Sequence, residues 1–174
     1  MELIEIVDKY GNKTGEILDK EIAHDRNLLH NEVAVFIVNK NGDVLLQKRS
    51  ANKRFHPGKW ALCAGHVDAY ESLESAAIRE VKEEVGLEIK TSELIPFFGS
   101  EITLDNTNSH ITYFYYTFSE KQVYEFNVQI EELSEVKWFK IKDVIDMIND
   151  EDTSIVFNKK RLDVFEQLSE IVLK

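Results

Sequence analysis

Residues 65–87 read Gly65-His66-Val67-Asp68-Ala69-Tyr70-Glu71-Ser72-Leu73-Glu74-Ser75-Ala76-Ala77-Ile78-Arg79-Glu80-Val81-Lys82-Glu83-Glu84-Val85-Gly86-Leu87. Leu73, Ala76, Ala77, Val81 and Val85 recur at helical spacing, which predicts an amphipathic helix over 72–85. Ser72 suits its N-cap and Gly86 the left-handed position past its end. On that helix Glu80 and Glu83 are three apart and Glu80 and Glu84 four apart, so three carboxylates share a face. Stacked like charges destabilise a bare helix, and a cation among them relieves the repulsion. Mg²⁺ takes hard oxygen ligands and keeps waters, which such a face with open sides suits. It can polarise a phosphoryl oxygen and acidify a bound water. Arg79 can hold a neighbouring carboxylate through two parallel hydrogen bonds. Gly65 lies where a strand ends and permits close backbone approach to metal or phosphate. Acidic runs on helices are more often solvated faces, so the three glutamates alone decide little. The wider pattern of Gly65, Glu71, Arg79-Glu80-Val81, Glu83-Glu84 and Gly86-Leu87 decides more.

Working outward, residues 33–38 (VAVFIV) form a β-branched run that predicts a buried strand. Residues 39–42 (NKNG) read as a hairpin turn and 43–49 as the returning strand. Residues 2–8 and 14–18 read as a second strand pair around Tyr10-Gly11-Asn12, and 50–59 as a loop. Residues 60–64 read as a short apolar strand. Further strands are expected at about 95–102, 111–118 and 135–139, with helices at 141–148 and about 159–173. On the strand carrying Phe114, Tyr115 and Tyr116, neighbours face opposite ways, and core packing is favoured over stacking on a base. Trp60 and Trp138 are expected in the core. Strands interleaved with helices point to a mixed α/β sandwich, with residues 1–174 as one domain.

Composition narrows the function. Of 174 residues, 43% are hydrophobic and 30% charged, with 7 Gly and 2 Pro, which fits a folded domain and not a disordered or fibrous chain. The formal charge of −11 disfavours nucleic acid and anionic membranes as partners. A bound divalent ion would reset the local charge for a phosphorylated substrate. No apolar run is long enough to cross a bilayer and the first residues lack a signal-peptide pattern, so a cytoplasmic location is the expectation. The single cysteine, Cys63, excludes an intrachain disulfide and a Cys-based zinc cluster, and reads as a small buried side chain.

The pattern over 65–87 resembles the Nudix hydrolase signature at every fixed position. The resemblance implies an α/β/α sandwich with a mixed β-sheet and a loop–helix–loop catalytic motif. It implies Mg²⁺-dependent hydrolysis, with Mn²⁺ as an alternative, of a diphosphate linkage in a nucleoside diphosphate derivative. Glu80, Glu83 and Glu84 would then be metal ligands, with the Gly65 carbonyl completing the shell. Glu83 would be the base or hold the attacking water, while Glu71 and Arg79 would orient the glutamates. A base on a later loop is the other option, with Glu131 and Glu132 as candidates. Arg49, Lys53, Arg54 and Lys59 cluster before the signature, and the predicted substrate contacts are Arg49, Arg54, Lys59 and His66. The partner is a small diphosphate compound, and a homodimer is compatible with the family.

Outside the signature, Glu5-Ile6-Val7-Asp8, Thr14-Gly15, Ala23-His24, Leu29-His30 and Leu46-Gln47-Lys48-Arg49-Ser50 resemble the Nudix branch containing isopentenyl diphosphate isomerase. In that branch three histidines and two glutamates bind a metal, and a cysteine and a glutamate move the proton. His24, His30 and His66 fall where the three histidines would be. Ala64 occupies the cysteine's place, Cys63 is one residue back, and the later glutamates align with Asn108 and His110. One residue of shift on a strand turns a side chain to the opposite face. The signature is also intact here, so hydrolysis is the favoured reading. The alternatives are an isomerase-like enzyme and a nucleotide-binding module without turnover.

Overall fold

The computed structural model describes residues 2–105, 108–129 and 131–174. Strands β1 (Leu3–Val7) and β2 (Lys13–Asp19) form an antiparallel hairpin, followed by α1 (Lys20–Asp25). Strands β3 (His30–Val38), β4 (Asp43–Arg49), β5 (Trp60–Ala61) and β6 (Cys63–His66) precede the helix α2 (Leu73–Val85). Then come β7 (Ile95–Thr103), β8 (His110–Phe118), β9 (Leu133–Lys140), α3 (Ile141–Asn149) and α4 (Leu162–Val172). β3 runs parallel to β8, and the other ladders are antiparallel, so the sheet is mixed.

The period of two along β3 explains the layering. Val33, Val35 and Ile37 face one way and pack with Ala76, Ala77, Val81 and Val85 of α2. Ala34, Phe36 and Val38 face the other way and pack with residues of α3 and α4. Helices therefore cover both faces of the sheet, as the sequence predicts for an α/β/α sandwich. Phe114 and Tyr116 join the second cluster and Tyr115 the first, as strand alternation requires. Among the described residues, no helix is long and apolar enough to cross a membrane.

Two local features depart from expectation. Residues 60–64 are not one strand: β5 pairs with β4 while β6 pairs with β3, so the chain changes neighbours at Leu62. Buried Gln47 bridges this break, its Nε2 donating to the Leu62 carbonyl at 3.0 Å. The second is α1, six residues long and too short to show an apolar period. Asp19 caps it by accepting from the Glu21 amide.

Phe36 ties the second core together, with its ring edge-to-face against Phe97 and Phe165 and fully buried. Phe36→Ala should cost about 3–5 kcal/mol of unfolding free energy in a denaturant titration. A loss below about 1 kcal/mol would contradict that packing role.

Candidate active site

The α2 cap geometry is as the sequence predicts. The Ser72 side chain accepts from the Ser75 amide, and Gly86 closes the helix at φ 65°. The three glutamates are not equivalent, however. Glu84 lies on the inward stripe with Ala77 and Val81 and is 3% exposed. Its Oε2 accepts from the Ala64 amide of β6 at 3.1 Å. The Glu80 side chain is 14% exposed and the Glu83 side chain 54%. An added β-carbon at Gly65 would overlap the Glu80 carboxylate, so a glycine here leaves that carboxylate room against β6.

Arg79 organises the group. Its Nε and Nη2 donate to the two oxygens of Glu71 at 3.1 and 2.9 Å, a bidentate pair. Nη2 also donates to the His66 carbonyl at 2.9 Å, and Nη1 reaches Glu80 and Glu83. Glu71 in turn accepts from the Asp68 amide, which fixes the loop between β6 and α2. Burial, then the Glu80 charge, pushes the Glu84 carboxyl up to about 8. Burial also raises Glu80, against the opposing pull of Arg79. Adjacent carboxylates raised by desolvation are short of positive charge, and hard oxygen donors of this kind suit Mg²⁺ or Mn²⁺.

A second group lies on the other side of Gly65. His24, His30 and His66 have ring centroids 5.1 Å apart in every pairing. One ligand atom from each lies within 4.8 Å of the others. His30 Nδ1 donates to the Leu28 carbonyl at 2.9 Å, which leaves Nε2 buried and, among the described residues, without a hydrogen-bond partner. His66 Nδ1 faces Glu2 at 3.4 Å, and the hydrogen bond with His66 holds the Glu2 carboxyl down to about 2. His24 Nε2 and His66 Nε2 approach to 3.2 Å. Burial lowers His30 to about 4, and burial with the His66 charge lowers His24. His30, held through Nδ1 with Nε2 uncommitted, and its two close imidazole neighbours fit a divalent transition metal. His110, the register partner of His30, and Asn108 flank this group, as the alignment anticipates.

His24, His66 and the α2 glutamates line one cleft of about 590 Å³, whereas His30 is fully buried and outside its lining. Its cations are Lys20, Arg49, Lys53, Arg79, Lys160 and Arg161. Of the predicted contacts, Arg49 and His66 are in it. Arg54 is outside, drawn to Glu21 and Asp25 at the surface, and Lys59 is half-buried and also outside. The loop candidate Glu131 is exposed and does not line the cleft. Its neighbour Glu132 does, paired to Lys53 at 2.9 Å. Ala64 lines the cleft, whereas Cys63 points into the α2-side core. Burial, then the Glu84 charge, raises the Cys63 thiol well above its ordinary value. Lys20, Lys160 and Arg161 carry no local sequence signal, because tertiary contacts bring them to the cleft.

Comparison with known proteins bears on the family and the fold. The family model described as "NUDIX domain" matches residues 28–158. The chain is similar to an isopentenyl-diphosphate Delta-isomerase 2 of Photorhabdus laumondii subsp. laumondii, 32% identical over 150 residues, covering 85% of this chain and 82% of that protein. It is also similar to an isopentenyl-diphosphate Delta-isomerase of Kocuria rhizophila, 32% identical over 105 residues, covering 59% of this chain and 58% of that one. A solved structure from Deinococcus radiodurans superposes with a TM-score of 0.75 at 20% identity, covering 96% of this chain and 99% of that one.

The titrations of Glu84 and His30 carry opposite signs. Glu84 holds its proton from its ordinary 4.5 up to about 8 in the folded chain, so stability is lost as pH rises through that window. His30 resists protonation between about 4 and 6.5, so its contribution is lost as pH falls through that window. Above pH 6.5, Glu84 alone of the two acts. In chelator, unfolding free energy should therefore fall by about 1–2 kcal/mol between pH 6.5 and 8, and Glu84→Gln should flatten the slope. A flat wild-type profile, or an equal slope in the variant, would contradict the buried-carboxyl assignment.

Proposed function

The chain belongs to the Nudix family, in the branch resembling isopentenyl diphosphate isomerase, and from that premise we propose that it hydrolyses a diphosphate linkage with divalent metal held by the α2 glutamates. The observation that carries the reading is the intact Arg79-centred carboxylate group beside Gly65. Glu80, Glu84 and the Gly65 carbonyl are the metal ligands, joined by Glu83. Bound Mg²⁺ or Mn²⁺ supplies Lewis acidity toward a phosphoryl oxygen and lowers the pKa of water. Arg79 keeps Glu80 and Glu83 oriented, so little reorganisation is needed when substrate arrives. Glu83, the most exposed of the three, accepts the proton of the attacking water. Glu132 is the loop alternative in place of Glu131, because it faces the cleft. Lys20, Arg49 and Lys53 meet the diphosphate oxygens across the cleft from α2. The substrate is a nucleoside diphosphate derivative.

The histidine group favours a second reading, the isomerase, since similar proteins carry that name. Two placements weigh against it. The residue facing the cleft at the cysteine position is Ala64, which has no proton to give, and Cys63 faces the core. The two later glutamate positions hold Asn108 and His110, neither of them a carboxylate. The three imidazoles fit a second metal whether or not alkene protonation follows.

Phosphate release from a panel of diphosphate compounds with Mg²⁺ or Mn²⁺ tests the proposal. Glu83→Gln and Glu84→Gln should each reduce turnover at least about 10²-fold. Near-wild-type rates in both variants would remove α2 from the chemistry. Deuterium uptake into isopentenyl diphosphate without phosphate release would instead establish the isomerase reading. Gly65→Ala should weaken Mn²⁺ binding at least about tenfold, equivalent to about 1.4 kcal/mol, by displacing the Glu80 carboxylate. Unchanged affinity would show that Glu80 need not sit against β6.

A further inference from the structure

At the end of the cleft away from α2, the wall is built by β7, β8 and the segment entering α4. Arg161 is the focus of that wall. Its guanidinium carbon sits 4.8 Å from the Phe114 ring centroid, in cation–π geometry. Nη2 donates to Thr112 Oγ1 at 3.2 Å, and Nε lies 3.6 Å from the Glu101 carboxylate, beyond hydrogen-bond length. Both charged side chains are 18% exposed. Among the described residues the Thr112 contact is the only hydrogen bond of this guanidinium, so most of its five donors stay available.

The support beneath Arg161 is stiff. Phe114 is 1% exposed, and Phe98 stands edge-on to it at 5.8 Å and 88°. Phe98 reaches that position from a bulge in β7 where its own φ is 62°, a conformation rare for a bulky residue. The same wall offers an acceptor in Glu101, which lines the cleft.

A restrained guanidinium beside a carboxylate is a poor surface for an alkyl chain. Covering these groups with hydrocarbon would remove their water and return no hydrogen bond. A planar group with both donors and acceptors on its edge, such as a nucleobase, would satisfy them. A site built around hydrogen bonds rejects analogues that lack them more strongly than an apolar pocket rejects a size change. We propose that Arg161, with Glu101, is the specificity determinant of this cleft, selecting a diphosphate whose attached group both donates and accepts hydrogen bonds over one bearing an alkyl chain. The inference rests on the diphosphate reading above but not on turnover.

Calorimetric titration with Ca²⁺ present separates the two. The probes are inorganic pyrophosphate, dimethylallyl diphosphate, and ADP, GDP, CDP and UDP. At least one nucleoside diphosphate should bind wild type at least about tenfold more tightly than pyrophosphate, the scale of one charge-assisted hydrogen bond. Dimethylallyl diphosphate should gain no such advantage. In Arg161→Met the nucleoside advantage should shrink to within about threefold, while pyrophosphate affinity and the thermal midpoint stay near wild type. Arg161→Lys should retain part of the advantage, because charge survives but the fork does not. Arg54→Met, outside the cleft, is the control for simple charge removal.

An advantage that persists in Arg161→Met overturns the proposal, as does an alkyl diphosphate that outbinds all four nucleotides. So does a wild type that prefers no nucleotide over pyrophosphate, or a variant that loses pyrophosphate binding equally. Phosphate release from other diphosphates would leave the hydrolase reading standing in each of those outcomes. Failure of even pyrophosphate to bind would remove both.

Discussion

The site depends on keeping carboxylates dry. Glu84 and Glu80 are one helical turn apart, and both lie largely out of water. Burying one ionised carboxylate is costly, and burying two side by side is costlier, so the folded chain must protonate, pair or coordinate them. Arg79 relieves part of the cost at Glu80 but has no contact with Glu84, whose oxygen is met by the Ala64 amide. The resulting shortage of positive charge makes the position receptive to a divalent ion. The fit at Gly65 is steric: the space where its β-carbon would be holds the Glu80 carboxylate.

How far this was legible in the sequence depends on the range of the forces involved. The helix α2, its caps and its acidic face follow from local periodicity, and the structure reproduces them. The inequality of the three glutamates is harder to read, although it too comes from helix geometry. Glu84 follows Ala77 by seven residues and Val81 by three, so it shares their inward stripe, while Glu83 turns outward. The alternation that places Cys63 in the core and Ala64 in the cleft is equally local. The cationic loop was not legible in this way. Arg54 and Lys53 are adjacent in sequence, yet Arg54 turns to Glu21 and Asp25 while Lys53 crosses to Glu132. Partners distant in sequence decide those directions. The same holds for α1, which is short and lacks an apolar period but carries His24 to its neighbours.

His24 and His66 share a cleft with the glutamates, but the two groups have different chemistry. Hard carboxylate oxygens suit Mg²⁺ and Mn²⁺, while imidazoles suit later transition metals. His30 is anchored through one ring nitrogen and left unsatisfied at the other, inside the protein. A buried acceptor with no partner carries a desolvation cost, which the three converging nitrogens allow an ion to offset. The two groups therefore need not compete for one metal, even though only Gly65 separates His66 from the strand position facing Glu84.

The branch resemblance and the intact signature pull toward different reactions, and what the cleft walls present is the more informative guide. Alkene protonation needs an acid facing the substrate carbon, and the strand position where a thiol would serve holds a methyl group. Hydrolysis needs oriented carboxylates, a place for water and cations for phosphate, and each of these lines the cleft. A fold can keep a histidine group while one residue of register removes the proton donor, because His24 stands on α1, His30 on β3 with its Nδ1 on the Leu28 carbonyl, and His66 on β6, supports that do not include the side chain at position 64. Retention of the histidines is thus compatible with loss of isomerisation. Retention of an expensive buried carboxylate pair is harder to reconcile with loss of metal chemistry, since an apolar side chain on the same inward stripe would stabilise the helix packing more simply.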